Sequence, residues 1–119
     1  MEILHLTREH DWEEALVAGE YRISTRGAIL EEVGFVHAST AEQLPGVATL
    51  QFSGCTDRLV VLVMDDEAIR AAGVPVRYEG GGDGQLFPHI YGAIRPSMVS
   101  RVVPAEFDSS GRFLLRPRA

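Results

Sequence analysis

Leu59-Val60-Val61-Leu62-Val63-Met64 is the stretch that decides the fold, because it places six apolar residues in a row. A short apolar run that is rich in β-branched side chains and bounded by turn residues predicts a strand. Side chains alternate between the two faces of a strand, so this one presents apolar groups on both. Such a strand belongs at the centre of a sheet whose faces are both covered. We therefore expect the core to form around residues 59–64.

On the N-terminal side, a strand over Ile3–Leu6 is predicted to lead directly into a helix. Thr7 has the side chain of an N-cap residue, and acidic residues follow it in the first turn, where the helix dipole favours anions. Apolar residues then recur at helical spacing until Gly19, which is typical of a helix end. Beyond this helix we expect a short strand over 21–23 and a loop over 24–34.

A second strand, over Gly34–Ser39, is predicted to lead into another helix. Two overlapping residue pairs have the spacing of a capping box, namely Ser39 with Glu42 and Thr40 with Gln43. Pro45 is expected to break or kink this helix, or to restart it as its first residue.

Strands dominate the second half of the chain. The expected elements are a helix over 65–72, strands over 76–78, 98–107 (broken at Pro104) and 113–115, a flexible glycine-rich loop over 80–84, and a turn over 108–111. Helices followed by a run of strands are typical of an α+β domain, and 119 residues can bury one core. We expect a single domain over 1–119.

The charge balance argues against several classes of protein. The chain carries 17 acidic and 11 basic side chains, and this net charge of -6 disfavours binding nucleic acid or a membrane through bulk charge. All 11 cations are arginine, so there is no Schiff-base lysine and no P-loop lysine. The single Cys55 excludes an intrachain disulfide and fits a reducing compartment. With no recognisable signal peptide or long apolar stretch, we expect a cytoplasmic protein.

Three histidines, His5, His37 and His89, lie inside apolar segments. Strand interiors usually carry valine or isoleucine, so histidines there are candidates for a functional site. The first two end their strands as His-x-Thr and His-x-Ser before predicted helix starts, where free backbone N–H groups can bind anions. A structural explanation stays open: each histidine can be buried with its hydrogen bonds satisfied, and Thr7 and Ser39 can be helix caps.

Two further side chains can take part in chemistry. Glu79 follows a strand and precedes the glycine-rich loop, where a carboxylate can stabilise a cation or act as a general base. Tyr91 can stack on a planar ring. The structural alternatives are a solvated glutamate at a loop edge and an aromatic residue of the core.

These histidines belong to a longer set of motifs, namely His5-Leu6-Thr7, Trp12, Ala18-Gly19-Glu20-Tyr21, Gly34-Phe35-Val36-His37-Ala38-Ser39-Thr40, Gln43 and Leu86-Phe87-Pro88-His89-Ile90-Tyr91-Gly92. The set resembles a bacterial family known as domain of unknown function 952. The resemblance covers roughly residues 2 to 104.

A second resemblance concerns the order of strand with His-x-Thr, helix, glycine and then His-x-Ser. This order is similar to the start of the RNA 2′-phosphotransferases, which belong to the ADP-ribosyltransferase-like superfamily. The resemblance implies a split antiparallel core of two small sheets with two or three short helices. It also implies that NAD or an ADP-ribosylated group lies in a histidine-lined cleft between the sheets.

The superfamily resemblance also implies roles for individual residues. His5 would hold a ribose hydroxyl, and His37 with Ser39 would contact the dinucleotide or a phosphate. Glu79 would form a hydrogen bond with the ribose hydroxyl next to the reacting carbon. The candidate catalytic residues are His5, His37, His89 and Glu79, and the candidate ligand contacts are Thr7, Ser39, Tyr91, Phe87 and Arg77. NAD is the expected cofactor, a small nucleotide is the expected partner, and no metal is expected.

Three interpretations of these residues stay open. The chain transfers ADP-ribose, or it is a non-catalytic nucleotide-binding module, or the three histidines bind a metal ion with an open position for water. The phosphotransferases carry additional arginines near their histidines, and Arg22, Arg26 and Arg77 are the candidates here. The sequence leaves enzymatic activity and the acceptor undecided.

Overall fold

Short helices and antiparallel strands make up the computed structural model, which describes residues 1–80 and 83–116. The strands are β1 (Glu2–Arg8), β2 (Ile23–Thr25), β3 (Ala28–Ile29), β4 (Val36–His37), β5 (Leu59–Asp65), β6 (Val76–Gly80), β7 (Leu86–Ile90), β8 (Val99–Phe107) and β9 (Phe113–Leu115). The helices are α1 (Glu9–Ala18), α2 (Leu30–Val33), α3 (Leu44–Phe52) and α4 (Asp66–Ala71), with a 3₁₀ turn over Pro96–Met98. The α+β class is confirmed, but the described ranges hold four helices rather than two or three.

β5 lies inside a four-stranded antiparallel sheet of order β1-β5-β8-β9. Each residue from Leu59 to Met64 is 3% exposed or less. Val60 and Leu62 pack into one buried cluster, and Val61 and Val63 pack into another on the opposite face of the sheet. The predicted central strand is therefore confirmed, with apolar side chains covered on both faces.

A smaller sheet of order β4-β7-β6 packs over one of these faces. Its inner residues Val36, Ile90 and Val76 lie opposite one another in register and share the buried cluster that contains Leu62. Two small sheets were expected, but residues 1–80 and 83–116 form three, because β2 and β3 pair as a separate two-stranded sheet. The space between the four-stranded and three-stranded sheets at this position is filled by side chains rather than open as a cleft. The reason is that both facing surfaces are apolar, so packing them together removes both from water.

The first helix begins later than its sequence predicts. Gly19 ends α1 with φ of 88°, as expected. Thr7, however, is not an N-cap: it lies in β1 opposite Val60, and Arg8 occupies the N-cap position. The prediction was wrong because the hydroxyl of Thr7 is buried against the core, where it bonds a side chain from elsewhere in the chain.

The second of the predicted helices corresponds to α3, which begins at Leu44 and has Pro45 in its first turn. Thr40 and Gln43 form both bonds of a capping box: each donates its backbone N–H to the other's side-chain oxygen, at 3.0 and 3.3 Å. These bonds close a turn before the helix. Ser39 instead exchanges two backbone hydrogen bonds of 2.8 Å with Leu4 of β1, so it does not cap the helix as predicted.

Two other predictions about the elements need correction. The segment over 24–34 is not a loop, because it contains most of β2, all of β3 and α2, each too short to show a period. β8 is not broken at Pro104 but continues through it. The carbonyl of Pro104 accepts a hydrogen bond of 2.7 Å from the N–H of Arg116, a residue that lies just beyond the end of β9. The nitrogen of Pro104 faces the same side, so the strand loses no bond to β5. The predicted loop over 80–84 lies partly outside the described residues.

No helix within residues 1–80 and 83–116 is both long enough and apolar enough to cross a membrane.

Candidate functional site

One face of the three-stranded sheet carries most of the predicted site residues. In register, His37 of β4 lies opposite His89 of β7, which lies opposite Arg77 of β6. Residues two positions away share that face, while Val36 and Ile90 point into the core. We call the outward set the histidine face, and it consists of Phe35, His37, Arg77, Glu79, Phe87, His89 and Tyr91.

Glu79 holds two other members of this face through one carboxylate oxygen. Its Oε1 lies 2.7 Å from Nδ1 of His89 and accepts a hydrogen bond from the hydroxyl of Tyr91. The bond from Tyr91 and then that from His89 hold the pKa of Glu79 below its ordinary value, and the same carboxylate raises the pKa of Tyr91. Glu79 is therefore an anion that fixes the position of the His89 ring.

Aromatic rings surround this pair. Phe35 stacks on His89 with ring centroids 3.8 Å apart and an interplanar angle of 14°. The ring of His37 lies 5.4 Å from that of Phe87 and 5.5 Å from that of His89. On the other side, the guanidinium of Arg77 lies 5.0 Å from the centre of the Tyr91 ring, a cation–π distance. The face thus offers flat π surfaces beside one anion and one cation.

His37 is the half-buried histidine of the face. Partial burial, and then the proximity of His89, lower the pKa of its imidazole below the ordinary value. A neutral ring both donates and accepts a hydrogen bond, so His37 can contact a hydroxyl or a phosphate oxygen.

His5 lies in a buried hydrogen-bond network behind β4. Its Nδ1 is 2.5 Å from the carbonyl oxygen of His37, and its Nε2 is 2.7 Å from the hydroxyl of Tyr21, which lies 2.8 Å from that of Thr7. A carbonyl only accepts, so Nδ1 carries the proton. Burial lowers the pKa of His5 to about 4, which keeps the ring neutral and leaves Nε2 to accept from Tyr21.

The buried network separates His5 and Thr7 from the other candidates. Both residues are 3% exposed or less, and their polar atoms contact the protein rather than the surface. Their predicted contact with a ligand stays a prediction. So does that of Ser39, which is 1% exposed and bonded through its backbone to β1.

The arrangement contradicts a three-histidine metal site. The ring of His5 lies between the sheets, whereas the rings of His37 and His89 lie on the histidine face. Within residues 1–80 and 83–116, no three His, Cys, Asp or Glu side chains lie close enough together to hold a metal ion.

The candidate arginines have different surroundings. Arg22 pairs with Glu20 and Glu31, and Arg26 lies over the ring of Phe52 at 5.6 Å. Of these three arginines, Arg77 is the one on the histidine face.

Sequence reasoning missed two residues of the region. Phe35 could have been found, because it lies two positions before His37 and alternation places both on one face. Tyr21 gave no such signal, because its hydroxyl meets His5 and Thr7 only through the folding of distant segments.

A groove of about 330 Å³ adjoins the histidine face and shares Phe87 with it. Its other lining residues are Glu42, Gln43, Gly46, Val47, Leu50, Asp83 and Gln85. A molecule lying on the face can therefore extend into a depression next to it.

Residues 6–102, which include the whole histidine face and its supporting sheet, match the family described as "Protein of unknown function (DUF952)". The chain belongs to this family. The prediction made from its histidine motifs is thereby confirmed, while the more distant resemblance to the ADP-ribosyltransferase-like superfamily stays a prediction. No match emerges among the curated proteins compared with the chain.

Solved structures similar to this DUF952 protein include that of protein CC0527 from Caulobacter crescentus. Its crystal structure is 26% identical, with a TM-score of 0.82 over 96% of this chain and 94% of that chain. Its solution NMR structure gives a TM-score of 0.75 over 93% of this chain and 90% of that one. The fold of this chain is thus similar to that of CC0527.

Proposed function

We propose that this DUF952 protein binds the ADP-ribosyl part of NAD on its histidine face and transfers ADP-ribose to an acceptor. The observation that carries the proposal is that one sheet face gathers most of the residues singled out from the sequence. They are His37, His89, Glu79, Tyr91, Phe87 and Arg77. We propose likewise that the two packed antiparallel sheets are a variant of the ADP-ribosyltransferase-like core.

The side chains of the face match the parts of a dinucleotide. The rings of Phe35, Phe87 and Tyr91 offer surfaces on which a base or a nicotinamide ring can stack. Arg77 offers a permanent cation to the pyrophosphate. Oε1 of Glu79 is bonded within the protein, which leaves Oε2 to accept from a ribose hydroxyl.

The transfer itself requires positioning and electrostatic stabilisation. The bond between C1′ of the ribose and the nicotinamide nitrogen breaks, and its electron pair neutralises the charge of the pyridinium ring. Positive charge develops on the ribose, where an ionised carboxylate such as Glu79 stabilises it. The acceptor atom then bonds to C1′ and gives up its proton. NAD is a substrate in this scheme.

A second candidate is a binding module without transfer. It is favoured by the positions of the arginines, since Arg22 and Arg26 are engaged away from the histidine face and Arg77 is left as its cation. This candidate predicts the same ligand on the same surface, without consumption of NAD.

Ligand binding is tested by thermal unfolding with NAD, ADP-ribose and AMP, using wild type, His37→Ala and His10→Ala. His10 lies on α1 with 79% of its side chain exposed, so it controls for loss of an imidazole elsewhere. A ligand at about 100 times its dissociation constant stabilises by roughly 2.7 kcal/mol, which raises Tm by on the order of 10 °C. We expect this shift in wild type and His10→Ala and a smaller one in His37→Ala.

NAD consumption in the same samples separates the two candidates. Release of nicotinamide supports transfer, and binding without release supports the module. The proposal is wrong if neither NAD nor ADP-ribose shifts Tm, or if His37→Ala and His10→Ala respond alike.

A further inference from the structure

We infer that His89 is the general base of the histidine face and that the acceptor is therefore a hydroxyl group or water. The inference rests on the proposed function for its substrate. It rests on the contacts of His89 with Glu79 and Phe35 for its chemistry.

The proton of the neutral His89 ring is placed by Glu79. An ionised carboxylate accepts hydrogen bonds and cannot donate them, so the 2.7 Å contact requires a proton on Nδ1. In a neutral imidazole the other nitrogen then carries a lone pair. In this neutral form, Nε2 of His89 can take a proton from a substrate.

The ring of His89 also reaches the surface. Among the described residues, its side-chain hydrogen bond is the one between Nδ1 and Glu79. Nε2 lies on the opposite edge of the ring from this bond, and 11% of the His89 side chain is exposed. The inference requires that a small acceptor on the histidine face reaches this atom.

The ring that carries this lone pair is held in a fixed orientation. Phe35 stacks on it, Nδ1 is bonded to Glu79, and Tyr91 donates to the same carboxylate oxygen. A carboxylate bonded to the far nitrogen of an imidazole both fixes its orientation and stabilises the imidazolium that forms.

A general base determines which acceptors can react. A hydroxyl group or water is a weak nucleophile until its proton is removed, and a positioned imidazole supplies this step. With water, the oxygen bonds to C1′ as the bond to nicotinamide breaks, the electron pair goes to nicotinamide, and the water proton goes to Nε2. The products are ADP-ribose, nicotinamide and, after release to solvent, one proton.

The position of the ring proton is tested by ¹⁵N NMR of the imidazoles at a pH where the ring is neutral. We expect His89 to carry its proton on Nδ1 in the wild type and in Glu79→Gln, whose amide oxygen still accepts. We expect it to move to Nε2 in Glu79→Ala. A wild-type His89 with its proton on Nε2 overturns the inference whether or not NAD binds.

Turnover is tested with NAD, using water and methanol as hydroxyl acceptors and agmatine as a guanidinium acceptor. We expect ADP-ribose and methyl ADP-ribose, no agmatine adduct, and a loss of roughly 100-fold or more in His89→Gln with binding of NAD retained. His10→Gln is expected to match wild type. Undiminished turnover in His89→Gln, or preference for agmatine, overturns the inference and leaves the proposed function standing. Absence of NAD binding overturns both.

Discussion

Replacement of His5 by asparagine removes one titratable group from the buried network behind β4. The pKa of His5 is lowered from 6.5 to about 4 by burial, so the unfolded chain takes up a proton that the folded protein does not. Because the unfolded state binds more protons between these two values, stability rises with pH across this window and falls on acidification. At about 1.4 kcal/mol per pKa unit, acidification across the whole window lowers the free energy of unfolding by about 3 kcal/mol.

The measurement is urea unfolding of wild type and His5→Asn from pH 7.5 to pH 4.5, followed by the fluorescence of Trp12, the single tryptophan. Protonation of carboxylates with lowered pKa values, such as Glu79 and Asp66, also destabilises the folded protein in acid. The informative quantity is therefore the difference between the two proteins in the free energy of unfolding that each loses. We expect wild type to lose roughly 2–3 kcal/mol more than His5→Asn. His10→Asn, altered at an exposed position, should follow wild type.

If the free energy of unfolding depends on pH in the same way in wild type and in His5→Asn, burial does not lower the pKa of His5 as inferred. If the variant does not fold, NMR titration of the wild type gives the same decision. A His5 ring that titrates near its ordinary pKa contradicts the buried, neutral network, and one that stays neutral down to about pH 5 supports it.

Three further results are expected. Leu62→Ala, in the middle of β5 at 0% exposure, should lower the free energy of unfolding by about 2–5 kcal/mol in urea titrations, because it leaves a cavity in the core. Gly34→Ala should cost about 1 kcal/mol because φ is 95° there, whereas Gly46→Ala within α3 should stabilise by roughly 0.5–1 kcal/mol; differential scanning calorimetry distinguishes the two signs. Tyr91→Phe should raise the pKa of Glu79 toward its ordinary value, because the first of its two stabilising hydrogen bonds is lost; ¹³C NMR of the carboxyl group measures this.

The elements that the sequence predicted are those whose causes are local. The apolar run of β5 and the glycine that ends α1 need no knowledge of the rest of the chain. The elements between Ile23 and Val33 have two to four residues each, and no period can be recognised over such lengths. Thr7 was mispredicted for a different reason. Its side chain is suited to an N-cap position, but in the folded protein its hydroxyl forms a hydrogen bond with Tyr21 in the core.

The candidate site also has a part that local sequence predicts and a part that depends on distant residues. Alternation along β4 and β7 correctly groups His37 with its neighbours two positions away, and the motifs correctly identified the family. Alternation does not say which face of a sheet is packed against a second sheet. That choice places His5 between the sheets and His89 outside them, and it depends on the apolar residues Val36 and Ile90 rather than on the histidines.

The two sheets share backbone hydrogen bonds through the pair Leu4 and Ser39, and the ring of His5 adds a third bond to the carbonyl of His37 next to it. β4 has two residues, so the strand that carries His37 is tied to the four-stranded sheet almost at its own end. Amide hydrogen exchange at Leu4 and Ser39 therefore reports on separation of the sheets, and both amides should become unprotected together. A small molecule held by His37 would slow their exchange without touching either of them, so occupancy of the surface could be followed from inside the protein.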